Sequence, residues 1–115
     1  MTIGNHQDLI VWQKAMDLVM KTYQLSKTFP HDELYTLTSQ MRRAAISIPS
    51  NIAEGRRRHS EPEFKRFLRI AFGSAAELET QIEIADRLGY GKKEHYEEAK
   101  ELVVEVLRML NVMTA

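Results

Sequence analysis

The chain contains no cysteine, only three prolines and only five glycines in 115 residues. Without thiols it forms no disulfide, no thiolate metal site and no cysteine nucleophile, a composition compatible with a reducing cytoplasm. With so few helix breakers, long helices run unobstructed. Long apolar runs are scarce as well. Residues 9–12 are cut short by Gln13 and Lys14, and no stretch approaches the roughly 20 apolar residues of a membrane span. The N-terminal Met-Thr-Ile-Gly-Asn-His-Gln-Asp lacks the basic region that opens a signal peptide, so the expected location is the cytoplasm, with no membrane partner. Net charge is also absent, since 16 Lys+Arg balance 16 Asp+Glu.

What is present suits one globular domain. Hydrophobic residues at 43% and charged residues at 28% separate the chain from disordered sequences, and its length supports a single core over residues 1–115. The zero net charge conceals an asymmetry. Residues 42–69 hold Arg42, Arg43, Arg56, Arg57, Arg58, Lys65, Arg66 and Arg69 against Glu54, Glu61 and Glu63. Beyond residue 76 acids outnumber bases. Such a division suits an anionic ligand at one end or head-to-tail docking of subunits, and two solvated faces explain it equally simply.

Apolar periodicity predicts four helices, at about residues 8–28, 33–55, 61–88 and 93–113. In the first, Val11, Ala15, Leu18 and Leu25 form one row and Trp12, Met16, Val19 and Tyr23 its neighbour. In the second, Leu34, Leu37, Met41, Ala45, Ile48 and Ile52 keep their rhythm straight through Pro49. A helix that continues with a kink is expected there, although an interior proline costs about 3 kcal/mol. Asp32 is a candidate N-cap and Gly55 a candidate stop for this helix. Ser60-Glu61-Pro62-Glu63 has the form of a capping box. The third helix then carries Phe64, Leu68, Ala71, Ala75, Leu78, Ile82 and Ala85 to a stop at Gly89-Tyr90-Gly91, and small residues at Gly73-Ser74-Ala75-Ala76 invite close backbone approach. The fourth repeats the seam with Tyr96, Ala99, Val103, Val106, Leu110 and Met113. The fold class is all-α, an antiparallel up-down-up-down four-helix bundle with helix 2 kinked at Pro49. Second apolar rows, such as Phe67, Ile70, Ile84 and Leu88, suit either a wide core stripe or a subunit interface.

Enzymatic chemistry finds little support. A di-iron bundle needs two Glu-x-x-His pairs, but three residues before His31, His59 and His95 stand Thr28, Arg56 and Lys92. Ser47, Ser50 and Ser74 have no histidine nearby in sequence, and the glycines form no phosphate loop. No catalytic residue, metal site or cofactor is expected. A carboxylate enzyme would require Glu54, Glu77 or Glu79 to converge on a pocket. Asn51 and Glu54 are better placed to satisfy the carbonyl freed by Pro49 or to pair with Arg42 or Arg43. The remaining candidate site is basic. Arg56, Arg57, Arg58, Lys65, Arg66 and Arg69 follow one another closely enough to neutralise several phosphates, and the last three are expected to share the exposed side of helix 3.

The block Arg43-Ala44-Ala45-Ile46-Ser47-Ile48-Pro49-Ser50-Asn51-Ile52-Ala53-Glu54-Gly55, with Glu63-Phe64, Phe67-Leu68, Ala71-Phe72-Gly73-Ser74 and Glu77-Leu78-Glu79-Thr80-Gln81, closely resembles the bacterial four-helix bundle family named after 23S ribosomal RNA intervening sequences. Leu9-Ile10-Val11-Trp12 and Ala85-Asp86-Arg87-Leu88-Gly89-Tyr90 fit the same pattern. The resemblance implies a homopentameric ring. It also implies kinship with the accessory variability protein of diversity-generating retroelements, a basic pentameric barrel that binds nucleic acid. From these strands comes one expectation, a non-enzymatic homo-oligomer binding RNA or DNA through the six cations. Its rival is an adaptor for a partner protein, in which the arginines bridge subunits and nucleic acid plays no role.

Overall fold

The computed structural model describes residues 5–115. Four α-helices follow a short 3-10 turn, His6–Asp8: α1 Ile10–Ser26, α2 Leu37–Arg57, α3 Glu61–Arg87 and α4 Glu94–Met113. There is no strand among the described residues. α1 and α3 each lie beside both α2 and α4, so the helices close a square. Leu18, Met41, Ile48, Ile52, Leu68, Leu78, Ile82, Val106 and Leu110 lose essentially all solvent contact at its centre. Each contributes roughly 1.5–3 kcal/mol of transfer free energy. Ion pairs show the direction of the chain: Lys14 and Lys21 of α1 meet Glu105 and Glu98 of α4, so those two helices run antiparallel.

The seams expected on α3 and α4 are buried from Leu68 to Ala85 and from Tyr96 to Leu110, with Phe64 and Met113 at their ends only partly buried, and α2 passes unbroken through Pro49. Around the proline, the polar contacts differ from expectation. Asn51 Nδ2 donates to the Ser47 carbonyl at 2.8 Å and to its hydroxyl at 3.0 Å, rather than serving the carbonyl of Ala45, four residues before the proline. The Ser47 hydroxyl in turn lies 2.8 Å from that of Ser74, a polar link between α2 and α3. Arg42 donates to the Ser26 hydroxyl at 3.0 Å and covers the Tyr23 ring, while Glu54 faces Arg58.

Both ends of α2 depart from the sequence reading. The helix begins at Leu37, not residue 33, because residues 31–33 form a separate 3-10 turn. Asp32 lies within that turn and caps nothing. Glu33 explains the break: its carboxylate accepts from the Thr36 hydroxyl and, at 2.8 Å, from Tyr90 in the loop between α3 and α4. This long-range tie holds the segment away from the helix axis. At the other end α2 continues past Gly55 to Arg57, and the left-handed residue that reverses the chain is His59, at φ +54.

α3 starts with half of the expected capping box. The Ser60 hydroxyl accepts from the Glu63 amide at 3.4 Å, but the Glu63 carboxylate turns to Arg66. The helix ends where expected. Gly89 takes φ +74, its N–H donates to the Asp86 carbonyl and that of Tyr90 to the Ala85 carbonyl, the paired bonds of a Schellman motif.

Candidate nucleic-acid interface

The basic residues are assembled by one close helix contact. A Cβ built on Gly55 would stand 2.6 Å from the Cβ of Phe67 and 3.3 Å from Cδ1 of Phe64, so only glycine lets α2 lie this near the first turns of α3. The small-residue stretch expected to do this does not include the decisive residue. A Cβ on Gly73 meets nothing within 4 Å, whereas Ser74 does reach α2 through Ser47.

Above that contact the aromatic rings carry guanidinium groups. Arg58 and Arg66 lie 5.1 and 4.5 Å from the centroid of Phe67, and Arg56 lies 5.4 Å from that of Phe64. Such cation–π contacts orient the cations while leaving their charge available. Arg66 also donates to both oxygens of Glu63 at 3.0 and 3.2 Å. That bond raises the Arg66 pKa and lowers that of Glu63. Lys65 points towards the end of α4, where its Nζ donates to the Ala115 carbonyl oxygen at 3.3 Å. Arg57 and Arg69 are exposed and make no ion pair among the described residues.

The six cations therefore gather at one end of the bundle, four of them in two pairs. Arg58 and Arg66 flank Phe67 on the α2–α3 side, and Lys65 and Arg56 border a groove of about 440 Å³ closed by Met113 of α4. Lys65 and Arg69 border one shallow pocket on α3, while Arg66 turns to Glu63 and the Phe67 ring of the same helix. Phe64, Leu68 and Met113 line this groove and were not singled out as site residues. The signal was present: Phe64 opens the apolar seam of α3 and Met113 closes that of α4, and these ends adjoin.

Elsewhere, the chemistry stays dispersed. Among the described residues no group of three or more histidines, aspartates or glutamates is placed to hold a metal ion. Glu54, Glu77 and Glu79 are all exposed, Glu54 faces Arg58, and Glu77 and Glu79 are two residues apart on one helix and so diverge. No helix among the described residues is long and apolar enough to cross a membrane.

The family model described as 23S rRNA-intervening sequence protein matches residues 7–112. The chain belongs to this family. A crystal structure from Bacteroides thetaiotaomicron, of a protein with unknown function from the S23 ribosomal protein family, superposes with a TM-score of 0.80 at 27% identity. The alignment covers 91% of this chain and 98% of that one. No curated protein matches the chain. The 23S rRNA-intervening sequence fold thus accounts for the bundle, and its basic end is a property to be explained from this chain's own residues.

Proposed function

We propose that the protein is a non-enzymatic, homo-oligomeric helical scaffold that binds RNA or DNA through Arg56, Arg57, Arg58, Lys65, Arg66 and Arg69. The observation that carries this reading is the convergence of all six on one end of the bundle, within residues 42–69, whose only acids are Glu54, Glu61 and Glu63. Arg57 and Arg69 stand exposed there without an ion-pair partner among the described residues, the condition for meeting phosphate directly. Assembly is supported by apolar side chains left in solvent, with Met20 60%, Tyr35 89%, Leu88 54% and Val112 71% exposed. Together with the family resemblance they favour several copies per particle, with a pentamer as the proposed number, and repetition of the basic end would add avidity.

Binding of mixed-sequence RNA and DNA by the intact oligomer should weaken steeply with salt, as contacts to phosphate do. No binding at low salt would overturn the proposal. The adaptor reading draws on the same exposed apolar side chains and predicts a different result. If the triple variant R56A/R57A/R58A falls apart into smaller species, the arginines serve subunit contacts. If it keeps its mass and loses nucleic acid, they serve the ligand. The pairing of Glu83, Asp86, Glu98 and Glu105 with lysines of the same subunit favours the second outcome, because it engages acids that a neighbour's arginines would need.

A further inference from the structure

We infer that the groove at the basic end receives an unpaired nucleobase, so that the preferred ligand is single-stranded nucleic acid rather than duplex. This inference rests on the nucleic-acid reading above and adds to it the class of ligand. Three features of the groove point the same way. Its volume of about 440 Å³ lies within the range of about 300–1,000 Å³ usual for small-molecule sites. Its walls include the apolar side chains of Phe64, Leu68 and Met113, which gain nothing from a phosphate. Its border is charged, with Arg56 over the Phe64 ring and Lys65 beside it, while Arg69 adjoins Lys65 in the next shallow pocket.

A flat aromatic group flanked by phosphates matches this layout. The base takes the apolar interior, stacking on the ring or guanidinium plane, and the backbone runs across Lys65 and Arg69. Glu61 also borders the groove. Its carboxylate repels a phosphate that would settle inside, yet accepts a hydrogen bond from an exocyclic amine of a base. In a duplex the bases are stacked and paired, so filling the groove would require flipping one out. A single strand presents them without that cost.

The test compares a fluorescently labelled, mixed-sequence RNA strand with its duplex, titrated into the intact protein across a series of salt concentrations. The expected result is a preference of about tenfold or more for the single strand. Phe64→Leu should remove most of that preference without changing the salt slope. R57Q/R69Q should weaken both ligands and flatten both slopes. In protein carrying labelled methionine methyls, Met113 should shift with the single strand and stay unmoved with the duplex. This signal decides the question in the wild-type protein even if Phe64→Leu does not fold. Equal binding of both forms with Met113 unmoved would overturn the groove assignment and leave the basic surface standing. Failure of both ligands to bind at low salt would overturn both.

Discussion

The contact at Gly55 makes a sharp demand on stability. In Gly55→Ala the new methyl would lie 2.6 Å from Phe67 Cβ, well inside the roughly 3.5–4.0 Å of an ordinary carbon contact. Phe67 Cβ is fixed to the α3 backbone, so no rotamer relieves the overlap and α2 must move outward from α3. Overpacking of this kind costs about 1–3 kcal/mol, and the better helix propensity of alanine returns about 0.5–1 kcal/mol. The net is a loss of up to about 2.5 kcal/mol. At about 2.1 cal/mol/K of unfolding entropy per residue, 115 residues give about 4 °C per kcal/mol, so Tm should fall by up to about 10 °C. Gly73→Ala provides the opposite control. It lies inside α3 with nothing within 4 Å of the new methyl, so it gains propensity alone and Tm should rise by about 2–4 °C. Both variants are to be melted by circular dichroism at equal protein concentration, since Tm would depend on concentration in a protein that assembles. If Gly55→Ala melts at or above the wild type, the close approach does not set the helix spacing.

Three further outcomes follow from the same contacts. Ser60→Ala removes the side-chain acceptor of the Glu63 amide and should cost about 1 kcal/mol in denaturant unfolding, with Ser60→Asp restoring it. Tyr96 is buried and donates to the Tyr90 carbonyl at 2.6 Å; burial, with the Asp86 carboxylate adding to it, pushes its hydroxyl up to about 12 from 10.0. Between these values the unfolded chain sheds a proton the folded one keeps, so stability falls as pH rises from 10 to 12. Tyr96→Phe should flatten that limb, though only in part, because Tyr90 and Lys100 are also raised, chiefly by hydrogen bonds to Glu33 and Asp86. On the acid side, the hydrogen bond from Lys21 lowers the Glu98 pKa below 4.5; its contribution is present above that value and lost as pH falls through the depressed pKa. Glu98→Gln should make the acid unfolding transition shallower, and an unchanged pH profile would remove the pair from the stability account.

The bundle was legible because its seams are periodic over about four turns or more, and periodicity survives local irregularity. The run from Met41 to Ile52 carried α2 through Pro49 for that reason. Its two ends were illegible for a different one. Leu34 fits the α2 rhythm as well as Leu37 does, yet a bond from Tyr90, 57 residues away, holds Glu33 in a separate turn. No local pattern announces such a tie. Gly55 shows the complementary ambiguity: a glycine near a helix end reads as a stop, but the same missing Cβ also permits a close approach, and only the partner helix distinguishes the two uses.

The same ambiguity governs the basic end. In sequence, Arg56, Arg57 and Arg58 form a run, and a run of charge is ordinarily a solvated surface. In the fold, only three residues separate the end of α2 from the start of α3, and Gly55 lets the first turns of α3 lie against the last turns of α2. That proximity places Phe64 and Phe67 directly beneath the arginines and gives the cations a defined position over aromatic faces. Moving Gly55 therefore disturbs more than stability. If Gly55→Ala shifts α2 outward, Arg56 loses its seat on Phe64 and the groove opens, so single-strand binding should weaken beyond what the loss of folded protein explains. The distinction is measurable by titrating well below Tm, where both proteins are folded. A variant that is less stable yet binds with wild-type affinity would separate the helix contact from the ligand surface and show that the arginines act as unplaced charge.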